Sequence, residues 1–136
     1  MPASAEATFD LLHDYDRRLS WDTLLRAARV ESTPIQPGTV GVCTAKRRLG
    51  GYSFRFRYVT VRRPTLAAVV LTSRPPFFTT WAASIRHEPI GDRRSNCVYT
   101  MTFQCHPRVI EPLVRTMFRR ETRRRLSALA GALLAD

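Results

Sequence analysis

Three side chains of types that carry out acid–base chemistry are placed so that a fold could bring them together: His87, Tyr99 and Glu121. General acid–base catalysis needs such groups within hydrogen-bonding distance of a reacting atom. His87 shares the parity of Trp81 in a β-patterned run, which predicts that both point to one face of a sheet. A structural interpretation competes with this one: a solvent-exposed histidine at a strand end, a core tyrosine with a satisfied hydroxyl, and Glu121 paired with Arg125 by helical spacing. The catalytic residues, if there are any, therefore stay unknown from this pattern.

The sequence predicts neither a metal site nor a nucleotide cofactor. Its three histidines, His13, His87 and His106, are scattered, without His-x-His or His-x-x-x-His spacing. The three cysteines form no Cys-x-x-Cys pair, which favours reduced, buried thiols. Gly50-Gly51 lacks the lysine that follows the glycines of a P-loop. His13 and His106 flank the predicted ends of elements and are interpreted as structural caps or surface groups.

Hydrophobic periodicity predicts two short helices at the start of the chain. Ser4 is a suitable N-cap for the first helix, which ends near His13, and the second covers residues 16–25. Trp21 is interpreted as an apolar anchor of the second helix and as a core residue. Residues 33–38 are a predicted turn, because proline presets φ and glycine supplies a positive φ.

Between the helices the pattern predicts an antiparallel meander. In one run, Phe54, Phe56 and Tyr58 alternate with arginines, which predicts a half-buried strand with its arginines in water. Arg74-Pro75-Pro76 is a predicted breaker. The predicted strands are residues 27–31, 40–45, 54–61, 66–71, 77–89 and 95–105.

The last two predicted strands form the clearest hairpin in the sequence. Gly91-Asp92-Arg93 is a suitable three-residue connection between Ile90 and Arg94. If those two flanking residues pair, the antiparallel register creates one aromatic and aliphatic face. The expected pairs are Ile85 with Tyr99, Ala83 with Met101, and Trp81 with Phe103.

One long amphipathic helix is predicted from just after His106-Pro107 to about residue 135. Glu121 interrupts its inward stripe. The stripe consists of Ile110, Val114, Met117, Phe118, Glu121, Leu126, Leu129 and Leu133. The densest arginine block spreads over the polar half of this helix and consists of Arg115, Arg119, Arg120, Arg123, Arg124 and Arg125.

The formal net charge of +11 attracts nucleic acid, anionic lipid and acidic metabolites. Nearly all of the positive charge is arginine, with Lys46 the only lysine, and a GC-rich genome explains this bias as well as phosphate binding does. The arginine block has no interleaved exposed aromatic residues, and no helix-turn-helix or zinc-finger spacing accompanies it. A solvated surface is therefore favoured and no specific nucleic acid is expected. Anion or nucleic-acid binding through the C-terminal helix stays a second alternative.

The opening of the chain resembles a known superfamily. A Phe-x-x-Leu-x-Asp-Tyr-x-Arg motif at residues 9–17, with Trp21-Asp22 after it and a meander and helix beyond, is similar to the START-related helix-grip superfamily. In bacteria its members are labelled SRPBCC or polyketide cyclase/dehydrase. The resemblance implies an α+β fold for one domain, 1–136, in which a curved antiparallel sheet of about six strands wraps around the C-terminal helix. It also implies an internal cavity for lipids, polyketides, steroids or other apolar ligands.

The chain departs from this superfamily at its start. Members normally begin with a strand before the first helix, whereas here only residues 1–3 precede it. Either the start codon lies upstream, or another chain covers the sheet edge, or the edge is tolerated. An unpaired edge along residues 98–105 would be satisfied by a second copy, which predicts a homodimer.

The predicted function is binding of an apolar or amphipathic small molecule, such as a lipid, a polyketide or an aromatic metabolite, in this cavity. His87, Tyr99 or Glu121 would orient its polar end. The alternative is a polyketide cyclase/dehydrase-type enzyme that uses the same cavity. No cofactor or metal is expected, and the lack of a signal peptide or membrane-spanning run predicts a cytoplasmic protein. The predicted lining residues are Phe54, Phe56, Tyr58, Trp81, Tyr99, Met101, Phe103, Val114, Met117 and Phe118.

Overall fold

A computed structural model of the chain describes residues 1–73, 75 and 77–135. In chain order, a short helix is followed by one antiparallel sheet of six strands in sequential order and then by a long helix, which confirms the predicted α+β helix-grip fold. Single 3₁₀ turns lie in three of the connections. The helices are α1 Ala5–Leu12 and α2 Glu111–Ala135; the strands are β1 Leu25–Val30, β2 Val40–Ala45, β3 Ser53–Arg62, β4 Leu66–Leu71, β5 Phe78–Gly91 and β6 Arg94–Cys105; the 3₁₀ turns are Arg18–Ser20, Arg47–Leu49 and Arg108–Ile110.

The strands agree closely with the hydrophobic pattern. β2 and β4 have the predicted bounds, and the other strands differ by at most two residues at an end. Gly38 has a φ of +95°, as the predicted turn at 33–38 requires. Of the predicted breaker at 74–76, Arg74 and Pro76 lie outside the described residues.

The β5–β6 hairpin has the predicted register across its aromatic face. Trp81 pairs with Phe103, and the two other predicted pairs are also present. The predicted connection is wrong by one residue, because Gly91 pairs with Arg94 after a register shift that follows Pro89. A bulge at that point takes up one residue of β5 and leaves a two-residue turn.

The predicted second helix at residues 16–25 is wrong. Only the 3₁₀ turn Arg18–Ser20 forms there, and Leu25 already begins β1. The reason is Asp22, whose side-chain oxygen accepts a hydrogen bond from the backbone N–H of Leu24 at 2.9 Å. Such a local bond competes with helix formation and turns the chain into the strand. The first helix is as predicted, with the Ser4 hydroxyl accepting a bond from the N–H of Ala7 at 3.1 Å.

Helix α2 begins three residues later than predicted, after the 3₁₀ turn Arg108–Ile110. Its buried face does not follow the predicted stripe in full, because Met117 is 37% exposed. Arg125 is buried, although its block was predicted to lie in water. The residues of α2 that are buried are Val114, Glu121, Arg125, Leu129 and Leu133.

Two apolar clusters hold the helices on the concave face of the sheet. In one, Phe9 of α1 packs with Phe56 and Tyr58 of β3. In the other, Trp21 packs with Leu129 of α2, which confirms its predicted place in the core. No helix among the described residues is both long and apolar enough to cross a membrane.

Candidate ligand-binding cavity

A central cavity lies between the concave face of the sheet, the segment after α1, and helix α2. The cavity volume is about 130 Å³ when only positions open to the centre of a water molecule are counted. Together with its solvent-exposed mouth, the cavity contains about 1170 Å³ that no protein atom fills. Its wall is apolar because β3, β5 and β6 each turn alternate side chains inward. Eight of the ten predicted lining residues lie in this wall: Phe54, Phe56, Tyr58, Trp81, Tyr99, Met101, Met117 and Phe118.

Phe103 and Val114 were predicted to line the cavity and do not. The ring of Phe103 instead packs against Phe78 at 5.8 Å and Phe118 at 5.3 Å, on an outer groove between β6 and α2. Val114 is buried on the inner face of α2 but does not line the cavity. Parity and helical spacing identified their inward faces but not how far the cavity extends along them.

The polar end of the cavity is an arginine pair, Arg18 and Arg125, that shares the carboxylate of Asp22. Arg18 Nε donates to Asp22 Oδ2 at 2.7 Å, and Arg125 donates from Nε to Oδ1 and from Nη2 to Oδ2, each at 3.1 Å. Both arginines line the cavity, with residue exposures of 6% and 9%. Burial alone would raise the pKa of Asp22, but the charges of Arg125 and Arg18 lower it to about 2. The carboxylate is therefore ionised at neutral pH.

Beside the arginine pair lies a chain of three hydrogen-bonded side chains, which we call the His13–Tyr58–Tyr15 chain. His13 Nδ1 is 2.8 Å from the hydroxyl of Tyr58, which is 2.7 Å from the hydroxyl of Tyr15. All three line the cavity. Burial lowers the pKa of His13 well below its ordinary value and raises the pKa of Tyr15 to about 12. The chain is therefore neutral near pH 7 and places hydroxyl groups, rather than charges, against the cavity.

The family model for polyketide cyclase / dehydrase and lipid transport matches residues 1–133. The chain belongs to this family. Solved structures show the same fold. A START superfamily protein from Mycobacterium smegmatis superimposes with a TM-score of 0.85 at 14% identity, covering 99% of this chain and 92% of that one. The Zhui aromatase/cyclase from Streptomyces sp. R1128 gives a TM-score of 0.82 at 14% identity, covering 97% and 87%.

A third structure, a protein from Thermobifida fusca, is 22% identical to this member of the polyketide cyclase/dehydrase and lipid transport family. Its TM-score is 0.75, and the match covers 98% of this chain and 87% of that one. No curated protein sequence matches the chain. Because identities are this low, the structures establish the fold and leave the ligand to be argued from the cavity itself.

Glu121, one of the three catalytic candidates, lies at the cavity wall of this family member but not with its predicted partner. Its carboxylate accepts hydrogen bonds from Arg48, at 3.1 and 3.4 Å, and from Arg124 at 3.4 Å. The predicted partner, Arg125, is bound to Asp22 instead. Arg48 lies in the turn between β2 and β3, so this ion pair fastens that turn to α2.

Of the two other catalytic candidates, Tyr99 lines the cavity and His87 does not. Tyr99 lines the cavity, with the Arg125 guanidinium 5.6 Å from its ring centre. His87 does point inward, but α1 covers that part of the sheet, and the ring packs 5.6 Å from that of Phe9, outside the cavity wall. It is only 1% exposed, so the expectation of a solvent-exposed strand-end histidine is also wrong. Burial lowers the pKa of His87 to about 4.

Sequence reasoning missed the polar end of the cavity. The structure confirms that His13 caps α1 but buries its ring, whereas His106 is exposed as expected. Arg18 and Asp22 have the i, i+4 spacing of an ion pair, which was an available signal. Arg125 had none, because it is one of six arginines on the same helix. No group of three potential metal ligands occurs in the part of the chain that the structure describes.

Proposed function

We propose that this protein binds an apolar or amphipathic small molecule, such as a lipid, a polyketide or an aromatic metabolite, in the central cavity. The observation that carries the proposal is a cavity with an aromatic wall in a domain of only 136 residues. Protein interiors are normally close-packed, and unfilled space reduces stability. A ligand of this class would restore those contacts, and pockets of this composition are typical of small-molecule sites.

Binding of the neutral dye N-phenyl-1-naphthylamine tests the proposal without relying on charge. We expect micromolar affinity for the native protein and displacement by fatty acids or aromatic polyketides. Val69 of β4 lines the cavity whereas its neighbour Val70 has the opposite parity. Val69→Trp should therefore weaken dye binding about tenfold or more by filling the cavity, and Val70→Trp should not.

Thermal unfolding of both variants shows whether each is folded. Dye fluorescence that appears only as the native protein unfolds, or equal binding by the two tryptophan variants, would contradict the proposal.

A second candidate function is catalysis of an aldol cyclisation or dehydration in the same cavity. The observation that favours it is the His13–Tyr58–Tyr15 chain. As an enol carbon of the ligand attacks one of its carbonyl carbons, the C=O π bond breaks, and a neutral, hydrogen-bonded hydroxyl can donate a proton to that carbonyl oxygen and regain one from the enol oxygen. If this chain is catalytic, Tyr15→Phe should lower turnover of a β-polyketone thioester about 100-fold with dye affinity unchanged. Unchanged turnover would contradict it.

The proposed partner, besides the ligand, is a second copy of this chain at the edge of β6. β6 is the last strand of the sheet, and Val98 on it is 46% exposed. Edge pairing would give partners to the backbone groups of residues 98–105 that face away from β5, beyond which no further strand lies among the described residues. Light scattering at micromolar concentration should give a dimer, and a monomer whose edge amides resist hydrogen exchange would contradict this. The three free cysteines support a reducing, cytoplasmic location.

A further inference from the structure

The carboxylate of Asp22 has no hydrogen-bonding capacity left for a ligand. Its Oδ1 accepts from Arg125 Nε and from the backbone N–H of Leu24, and its Oδ2 accepts from Arg18 Nε and Arg125 Nη2. A carboxylate offers about four acceptor positions. The Asp22 side chain has no exposed surface. Any polar group that enters this end of the cavity therefore meets the two guanidinium groups and not the carboxylate.

The guanidinium groups, in contrast, keep unused donors. Arg18 donates from Nε to Asp22 and from Nη1 to the carbonyl oxygen of Leu12 at 2.7 Å. Among the described residues, the side-chain bonds of Arg18 use Nε and Nη1 and those of Arg125 use Nε and Nη2, so Arg18 Nη2 and Arg125 Nη1 have no partner there. Each guanidinium has five N–H donors. Both residues are at least nine-tenths buried and line the cavity.

The charges at this end of the cavity are also unbalanced. Two arginines share one carboxylate, and the other buried carboxylate among the described residues, Glu121, is held by Arg48 and Arg124. Aromatic rings supply part of the compensation: Arg18 lies 5.1 Å from the ring centre of Trp21, and Arg125 lies over Tyr99. A buried charge without a full counter-charge is costly. One further negative charge would balance the arginine pair.

We propose that the ligand carries an ionised carboxylate, which binds the free N–H groups of Arg18 and Arg125 while its apolar part lies along the aromatic wall. This inference rests on the proposed function and names the ligand class within it. A carboxylate is matched to the arginine pair because a planar guanidinium can donate two parallel hydrogen bonds to its two oxygens. A fatty acid and an aromatic polyketide acid share this chemistry.

Isothermal titration with two matched series tests the inference: decanoate against methyl decanoate, and naphthalene-2-carboxylate against its methyl ester. Within at least one series the acid should bind about 10-fold to 100-fold more tightly than its ester. The series with the tighter acid indicates an aliphatic or an aromatic ligand. Because the net charge of +11 attracts any anion, the titrations are repeated in 0.5 M salt, at about a 4 Å screening length, where a surface effect is lost and a buried one remains.

Arg125→Met locates the effect. It leaves Arg18 and Asp22 as a neutral buried pair, so the fold keeps a balanced cluster. Arg120→Met is the matched control, because Arg120 lies on the same helix, is exposed and borders neither the cavity nor the outer groove. The acid preference should fall to less than about threefold in Arg125→Met and persist in Arg120→Met. Ester binding reports whether each variant keeps its cavity.

Equal binding of acid and ester in both series, or a preference lost in high salt or kept in Arg125→Met, would overturn the carboxylate assignment and leave the cavity proposal standing. If neither acid nor ester binds the native protein, both proposals are overturned.

Discussion

Arg120 and Arg125 lie on the same helix in one run of arginines, but their surroundings differ completely. Arg120 is exposed, whereas Arg125 is buried and bound to a carboxylate that lies 103 positions away in the sequence. The outer arginines, Arg119, Arg120, Arg123 and Arg124, are exposed to salt and solvent, where a charge or an ion pair such as that of Arg124 with Glu121 contributes little to stability. Arg125, in contrast, contributes to the fold, because its two hydrogen bonds to Asp22 join α2 to the segment before β1. The comparison shows that net charge describes the surface of this protein and says little about the few charges that define its cavity.

The largest expected effect comes from breaking the inner cluster. Asp22→Ala leaves two buried arginines without their counter-charge and should lower the free energy of unfolding by about 3 to 5 kcal/mol, as measured by urea denaturation. Asp10→Ala is the control, because it breaks an ion pair with Arg63 in which both side chains are more than half exposed. Its effect should be a small fraction of the first. Similar losses in the two variants would show that burial does not distinguish these ion pairs.

The sequence predicted the regular part of this molecule and not its polar interior. Alternation of large apolar side chains was sufficient for the β5–β6 register, because a slip of one residue would turn Trp81 and Phe103 to the wrong face. Helical spacing predicted helix α2 but placed Arg125 in water, since a buried arginine needs a counter-charge and the one for Arg125, Asp22, is distant in the sequence. His87 shows the same limit: its parity was read correctly, but only the docked helix α1 determines that it lies outside the cavity.

A second expected effect sharpens the comparison by using a buried group without partners. Neither ring nitrogen of His87 has a hydrogen-bond partner among the residues that the structure describes, and burial lowers its pKa to about 4, from an ordinary value of 6.5. The unfolded chain therefore binds a proton at a higher pH than the native one. The stability that depends on neutral His87 is fully present above pH 6.5 and is lost as the pH falls toward 4.

His87→Leu should remove about 3 kcal/mol of this pH dependence and should stabilise the protein at pH 7 by about 1 kcal/mol. Urea denaturation at a series of pH values measures both. The remaining dependence in this range belongs to His13, whose pKa is lowered in the same direction. An unchanged pH profile in the variant would mean that His87 is hydrated or bonded in solution.

The smallest expected effect concerns the outer arginines. The native protein should bind duplex DNA only weakly and without sequence preference, with log K falling by about 0.9 per phosphate contact as log salt rises. Replacing Arg119, Arg123 and Arg124 with alanine should remove this weak binding. Because Arg48 still pairs with Glu121 when Arg124 is removed, dye affinity in the cavity should change little. Nanomolar binding of one DNA sequence at physiological salt would make the outer face a specific site and reverse the comparison.

The distance in sequence between Asp22 and Arg125 also affects how the protein is made. Synthesis proceeds from the N-terminus, so all six strands leave the ribosome before the residue that completes the cluster. During that interval the aromatic face that carries Trp81 lacks helix α2, although α1 can already pack against Phe56. Each newly made copy therefore passes through a stage in which this face is open to chaperones, to aggregation or to a ligand, and the docking of α2 ends that stage.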